Sequence, residues 1–197
     1  MNDVRSEIAV RAARLVVEDG MDYGGAKRRA AREFGGSERT MLPDNQEMEG
    51  AVRQHLELFH AETQPAVLLA LRRLALKWME RLTEFRPHLT GAVWQGTASE
   101  KSEVQLDLYC DDPKLAEISI INLGLKGRAV ADQGWKDAAV TVTFIDRCCV
   151  LKKDVDMLLS INDYDELRGA LRADRHGKVR RGDLNQMRRL LKVDGHG

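Results

Sequence analysis

The stretch of sequence that decides the fold is Gly91–Leu108, which reads GAVWQGTASEKSEVQLDL and follows a long apolar segment. It begins with a glycine and a small residue, and after ten further residues Glu103 opens an alternating strand. In that strand, Val104 and Leu106 alternate with polar residues, as expected of a strand with one buried face. The stretch predicts either an ordinary β-hairpin with a glycine-containing loop or a glycine turn set beside an acidic strand.

The residues before this stretch are predicted to be helical. Apolar side chains recur at helical spacing in four segments, and Asp44 is a plausible N-cap for the third. The predicted helices are Val4–Asp19, Tyr23–Phe34, Asn45–His60 and Pro65–Phe85. They indicate an N-terminal helical bundle over residues 1–86.

The pattern changes after Pro87, where strand signals begin. We expect strands over His88–Gln95, Glu103–Cys110, Lys126–Ala131 and Ala138–Asp146. A helix is expected from Pro113 to Leu123, and short helices over Tyr164–Ala173 and Asp183–Lys192, while Val150–Leu159 could continue the sheet or form a turn. The sequence therefore predicts an α+β protein whose second part, residues 87–197, is a small mixed β-sheet core with flanking helices.

Composition limits the class of protein. Lysine and arginine number 31, as do aspartate and glutamate, so overall charge implies no polyanionic partner. The three cysteines have no zinc-type spacing and are read as reduced thiols. The start has no signal-peptide pattern, and the apolar run Ala66–Leu76 is broken by two arginines. We expect a cytoplasmic protein without a membrane partner, whose oligomeric state is left open.

The central stretch resembles the active-site motif of the polymerase-beta-like, minimal nucleotidyltransferase superfamily, GSxxxGxxxxxSDIDL. Eight residues fall on the motif positions without a gap: Gly91, Ala92, Gly96, Ser102, Glu103, Val104, Gln105 and Leu106. Over most of residues 8–125 the chain also resembles a group of bacterial nucleotidyltransferase-domain proteins. That wider resemblance rests on AxRLVVEDGMDYGGAKRRAAREFG, LPDN, LTGAVxxGTA and PKLAEISIINLGL. It implies a nucleotidyltransferase-like core but supplies no substrate.

The resemblance implies Mg²⁺-dependent transfer of a nucleotidyl group from a nucleoside triphosphate to an unknown acceptor. Backbone N–H groups at Gly91, Ala92 and Gly96 would hold the nucleotide. Catalytic carboxylates would come from Glu103, Asp107 and Asp146, with Glu103 and Asp146 binding the metal. We therefore expect Glu103 and Asp146 on adjacent strands, with their side chains on one face.

This copy of the motif departs from the family pattern. Gln105 replaces the second metal-binding acid, and Ala92 replaces the serine that would offer a hydroxyl to phosphate. Asp107 cannot easily substitute, because four strand residues from Glu103 span roughly 13 Å. These departures predict weak Mg²⁺–nucleotide affinity. The alternative function is a catalytically inactive nucleotidyltransferase-fold module that binds a protein or RNA partner.

Two further groups of residues are basic. The basic residues Lys27, Arg28, Arg29 and Arg32 are expected to contact a partner, either RNA or protein, although a solvated helix face is the simpler interpretation. The basic run at 175–182 has the same two interpretations. A helix-turn-helix over residues 4–35 is a third and weaker interpretation. A histidine metal cluster is not expected, since His55 and His60 are five residues apart and off a common helix face.

Overall fold

This computed structural model describes residues 2–35, 42–122, 127–130, 140–174 and 177–194. It confirms an α+β protein, with helices before and after a five-stranded mixed sheet. In chain order the helices are α1 (Asn2–Asp19), α2 (Tyr23–Glu33), α3 (Asn45–Phe59), α4 (Gln64–Arg81), α5 (Gly91–Gln95), α6 (Pro113–Asn122), α7 (Leu167–Ala170) and α8 (Leu184–Asp194). The strands are β1 (His88–Thr90), β2 (Val104–Cys110), β3 (Gly127–Val130), β4 (Val140–Cys148) and β5 (Lys153–Asp163). Within the described ranges, no helix is both long enough and apolar enough to cross a membrane.

Two of the early helices begin at aspartate caps. Asp44 accepts hydrogen bonds from the backbone of Gln46 and Glu47, and the Glu47 side chain returns one to the Asp44 N–H. This capping box confirms the predicted start of α3. Asp22 caps α2 in the same manner by accepting from the Gly25 N–H at 2.9 Å.

The chain forms two compact units. The first, which we call the helical unit, comprises Met1–Leu68 and Thr97–Ser102, and the second, the sheet unit, comprises Leu69–Gly96 and Glu103–Gly197. The helical unit has buried small and aliphatic side chains on α1, α2 and α3: Ile8, Ala12, Leu15, Ala26, Ala30, Ala31 and Met48. The segment at 97–102 joins it through the Ser99 hydroxyl, which donates to the Val17 carbonyl at 3.1 Å. The predicted domain boundary between residues 86 and 87 stays a prediction.

The sheet has the order β1-β2-β5-β4-β3. Only β2 and β5 are parallel, and every other neighbouring pair is antiparallel. The alternating residues predicted as a strand from Glu103 to Cys110 form β2 from Val104 onward. The segment Val150–Leu159, for which the sequence leaves sheet or turn open, contributes to the strand β5, and β5 lies between β2 and β4.

The predicted strand His88–Gln95 is wrong after Thr90. Gly91 adopts a φ of 67°, and Gly91–Gln95 is a short helix instead. That left-handed backbone is accessible to glycine at little cost and ends the extended run. Along the chain, α5 therefore belongs to the connection that joins β1 to its antiparallel neighbour β2.

One face of the sheet is buried and the other is polar. The buried face carries Val104, Leu106, Leu108, Val142, Phe144, Val155, Met157, Leu159 and Ile161. Trp78 of α4 packs edge-on against Phe144, with ring centroids 4.6 Å apart. Gln105 and Asp107 lie on the opposite face, because successive strand residues alternate between faces. The polar face is therefore where the motif residues of β2 are found.

Candidate functional site

The motif glycine turn lies directly beside β2. A β-carbon added to Gly91 would lie 2.5 Å from Oε1 of Gln105, so the backbone of the turn and this side chain are in close approach. Gly96 ends α5 with a φ of 78°, and its N–H donates to the Ala92 carbonyl. The three residues predicted to bind nucleotide, Gly91, Ala92 and Gly96, thus belong to one short turn-and-helix element beside the strand.

Glu103 and Gln105 form a pair at the start of the polar face. The Gln105 Nε2 donates to Oε1 of Glu103 at 2.6 Å. Glu103 is exposed, and Gln105 is partly buried against the Gly91 turn. The motif spacing therefore correctly brings together the turn, residue 103 and residue 105, but these residues supply only one carboxylate.

Asp146 does not join this group, and the expectation that it would lie beside Glu103 is wrong. It lies on β4, and β5 separates β4 from β2. Gln105 pairs with Leu158, and Leu158 pairs with Thr143, so these three lie on the polar face. Asp146 is an odd number of residues from Thr143 and points to the opposite face. The strand neighbour of Gln105 is a leucine, and the acid that β5 places on the polar face beside the start of β2 is Asp156, one residue before the partner of Val104.

Asp146 instead bonds to α4 within the sheet unit. Its Oδ2 accepts from Lys77 Nζ and from Trp78 Nε1, each at 2.7 Å. Burial is the largest influence on its pKa and acts to raise it. The hydrogen bonds from Lys77 and Trp78, the charge of Lys77 and the Arg147 N–H together outweigh burial, so the pKa of Asp146 is lowered. Protein donors keep this carboxylate charged, and its role is to bond β4 to α4.

Asp107 is also engaged by the protein. It forms an ion pair with Arg181 at 2.7 Å, and the Arg181 guanidinium also contacts the Tyr109 hydroxyl. His88 stacks edge-on with Tyr109 at 5.3 Å between ring centroids. Burial raises the pKa of Asp107 despite the opposing charge of Arg181. The residue proposed as an outer member of the metal site thus belongs to a half-buried polar cluster.

The C-terminal part of the chain packs against the motif element. Gly182 and Leu89 exchange two backbone hydrogen bonds of 2.9 Å, and the Trp94 indole N–H donates to the Val179 carbonyl at 3.0 Å. Trp94 lies so close to Gly182 that a β-carbon there would clash with its ring. Two arginines of the basic run at 175–182 are held in ion pairs. Arg180 pairs with Asp174 at 2.6 Å, and Arg181 pairs with Asp107.

The predicted partner residues on α2 are present at its surface, with unequal surroundings. Lys27 donates to the Asn45 side chain at 2.9 Å, and Arg29 lies 3.7 Å from Asp19 and 3.8 Å from Glu33. Arg28 and Arg32 are exposed, and neither forms an ion pair with a residue of the described ranges. Arg29 is thus the member of this group whose charge neighbouring acids offset, whereas Arg28 and Arg32 are exposed one helical turn apart and Lys27 contacts only a neutral amide among the described residues.

Sequence reasoning missed a cluster at the ends of α1 and α3. Oε1 of Glu18 lies 3.0 Å from Nε2 of His55 and 2.8 Å from Nε2 of His60. The expectation that the two histidines would diverge fails because His60 is the C-cap, with a φ of −131° outside the helical range. Helical spacing therefore does not govern its side chain. The sequence shows that Glu18 lies two residues before Gly20 at the end of α1, but no pattern in it relates Glu18 to the two histidines.

The motif region offers the exposed carboxylate of Glu103 beside a glycine turn, with Asp156 of β5 exposed on the same face, whereas Asp107 and Asp146 have protein partners. A pair of divalent ions bound for in-line displacement requires several carboxylates within a few ångströms of one another. The arrangement thus supports a binding surface more readily than a two-metal reaction. Comparison of the chain with protein-family models and with curated proteins finds no match.

Proposed function

We propose that this chain is a nucleotidyltransferase-like protein that transfers no nucleotide and acts by binding a partner. One observation carries the proposal: Gln105 occupies the motif position of the second metal-binding acid and bonds to Glu103, while Asp146 lies on the opposite face of the sheet, on a strand that does not neighbour β2. No side-chain rotation can bring carboxylates across a sheet, because the strands themselves lie between them.

Electrostatics supports the same conclusion. Mg²⁺ gives up its water reluctantly and needs well-placed anionic oxygens to do so. Glu103 and Asp156 supply two such groups on the polar face, and Oε1 of Glu103 already accepts from Gln105. Asp107 is neutralised by Arg181 and Asp146, on the other face, by Lys77. With an amide at residue 105, the motif lacks one of its own two carboxylates, so we expect weak affinity for Mg²⁺ with a triphosphate.

Calorimetry with Mg²⁺ and each of ATP, CTP, GTP and UTP tests the proposal. We expect a dissociation constant weaker than about 1 mM, corresponding to less than roughly 4 kcal/mol of binding free energy. A low micromolar constant for any of the four would contradict it. The matched control is the double variant Gln105→Asp with Leu158→Asp, since these positions are strand neighbours on the face of Glu103. That variant should gain divalent-ion binding, whereas the wild type should not.

A protein partner is favoured over RNA by the state of the basic residues. RNA affinity comes mainly from several simultaneous phosphate contacts. On α2, Arg29 already lies near Asp19 and Glu33, which leaves Lys27, Arg28 and Arg32 to offer charge, with Lys27 held by its bond to the neutral Asn45 side chain. Three cations on one short helix are a small electrostatic footprint for a polyanion. The helical unit therefore suits recognition of a folded or peptide partner with a limited acidic contact.

A further inference from the structure

We propose that Glu18, His55 and His60 form a binding site for one divalent transition-metal ion of the zinc class. The proposal is independent of the nucleotidyltransferase resemblance, because all three residues belong to the helical unit. It rests on the spacing of their ligand atoms, on the scaffold that holds them, and on the cavity they line.

The spacing of the donor atoms suits a single ion. One carboxylate oxygen of Glu18 and one ring nitrogen of each histidine all lie within 4.8 Å of one another. Zinc bonds of about 2.0–2.1 Å in a tetrahedral arrangement set ligand atoms roughly 3.3 Å apart. The two Glu18–histidine distances are 3.0 and 2.8 Å, so these pairs need shifts of only a few tenths of an ångström. The two ring nitrogens lie within 4.8 Å of each other and would move closer by up to about 1.5 Å to share one ion.

The scaffold beneath these side chains is packed. Ala13 and Val17 of α1 meet Val52 and Leu56 of α3 in a buried cluster that includes the sequence neighbours of two of the donors. Glu18 follows Val17 directly, and His55 precedes Leu56. Their backbone positions are thus fixed by adjacent core residues, which is how a site is kept near its binding geometry without the ion. His60 is less constrained, with its side chain about a third exposed.

The donor types select the class of metal. Imidazole nitrogen suits zinc, copper, nickel and iron, whereas Mg²⁺ and Ca²⁺ prefer ligand sets made of oxygen. Two histidines and one carboxylate leave at least one coordination position open, as in catalytic zinc sites. The three residues also line a cavity of about 990 Å³, shared with Val10, Arg14, Phe34 and Phe59. An open position on a bound ion would therefore be accessible to water or to a small anion, with Arg14 as a nearby cation.

The simpler role for the cluster is a pair of hydrogen bonds. Each neutral imidazole could donate its Nε2–H to Glu18, and these bonds lower the pKa of that carboxyl, with His55 contributing most and His60 next. The two roles differ in one respect. A hydrogen-bonded cluster does not respond to zinc, whereas a ligand set must exchange those protons for the ion.

The test is zinc titration of the metal-free full chain by calorimetry and thermal unfolding. We expect one ion per chain, no response to Mg²⁺, and a thermal midpoint raised by about 5–10 °C when zinc is in hundredfold excess over its dissociation constant. Glu18→Gln and His60→Ala should each weaken zinc binding by about tenfold or more. Both side chains are partly exposed, so the metal-free variants should unfold near the wild-type midpoint.

Two controls separate this site from adventitious binding. Glu7→Gln removes a glutamate from the same helix and the same cavity but not from the cluster, and Cys149→Ser removes the exposed thiol. Both should bind zinc as the wild type does. Substitution by Co²⁺ should give the visible absorption of a low-coordinate nitrogen and oxygen site, lost in His60→Ala. Zinc binding that survives both Glu18→Gln and His60→Ala, or no binding by the wild type, would overturn the proposal.

Discussion

Gly91 and Gln105 meet at the point where the motif turn reaches β2: a β-carbon on Gly91 would lie 2.5 Å from the Gln105 Oε1. The glycine has a φ of 67°, so the turn depends on both its backbone freedom and its lack of a side chain. The motif position that should carry an acid thus carries an amide packed against the turn and bonded to Glu103. Gln105 therefore packs against the Gly91 turn and does not supply a carboxylate for a metal ion.

Gly91→Ala should destabilise the protein by about 2 kcal/mol or more, since it adds left-handed strain and a clash with Gln105. The control is Gly50→Ala on α3, where the added β-carbon meets open space. That change should stabilise by about 0.4–1 kcal/mol. Chemical denaturation measures both. In a Gln105→Ala background the cost of Gly91→Ala should fall but persist, and an unchanged cost would show that the contact contributes nothing.

Asp146→Ala should cost about 1–3 kcal/mol, because it removes a charged acceptor and leaves the buried Trp78 N–H without its partner. Asp154→Ala on the same hairpin is the matched control. Its pair with Arg147 is exposed on both sides, so a change within about 0.5 kcal/mol is expected. Equal costs for the two aspartates would argue against a structural role for Asp146.

The same contact predicts a pH dependence. The folded pKa of Asp146 is lowered from its ordinary value of 3.8, so its stabilising contribution is fully present above that value. It should be lost as the pH falls through the lower, folded pKa. Asp146→Asn should therefore differ most from wild type above pH 3.8 and converge with it in stronger acid. Unfolding free energies measured across this range would show a constant difference if the contact were not ionic.

Arg28→Glu with Arg32→Glu tests the surface of α2. If RNA is a partner, single-stranded RNA measured by fluorescence anisotropy should bind with a logarithmic salt slope of about 0.7 per phosphate contact, and the double variant should lose binding. We expect a slope near that of two contacts or fewer, and weak affinity. The matched control, Arg29→Glu, alters an arginine that already lies near Asp19 and Glu33. A steep slope, abolished by the double variant, would favour RNA over a protein partner.

The sequence predicted the elements better than their arrangement. The period of two in Val104–Leu108 correctly identified β2, and Asp44 correctly marked the start of α3. Local pattern determines such elements, because alternation and capping involve residues close in the chain. The turn at Gly91 was predicted as a strand, since a glycine between apolar residues does not reveal the sign of its φ.

The error over Asp146 came from pairing that is not local. The parallel contact between β2 and β5 joins residues more than fifty positions apart, such as Gln105 and Leu158. Nothing in either strand alone specifies that neighbour. A change of one residue in register also reverses the face of every side chain, so an acid at a strand end cannot be assigned to a face from sequence. The contact between His60 and Glu18 was not predicted for a related reason. His60 lies just beyond the end of α3, so helical spacing does not describe its position.

The side-chain amide of Gln105 gives the most direct test of the central claim that no metal–nucleotide site exists at Glu103. Its Nε2 lies 2.6 Å from Oε1 of Glu103, so a paramagnetic ion held by that carboxylate would broaden its NMR signal. The signal is assigned by its loss in Gln105→Glu and followed as Mn²⁺ and ATP are added. A Glu18→Gln background removes the proposed ion site of the helical unit. The account predicts that the Gln105 amide signal persists at millimolar Mn²⁺–ATP; its selective loss at micromolar concentrations would contradict it.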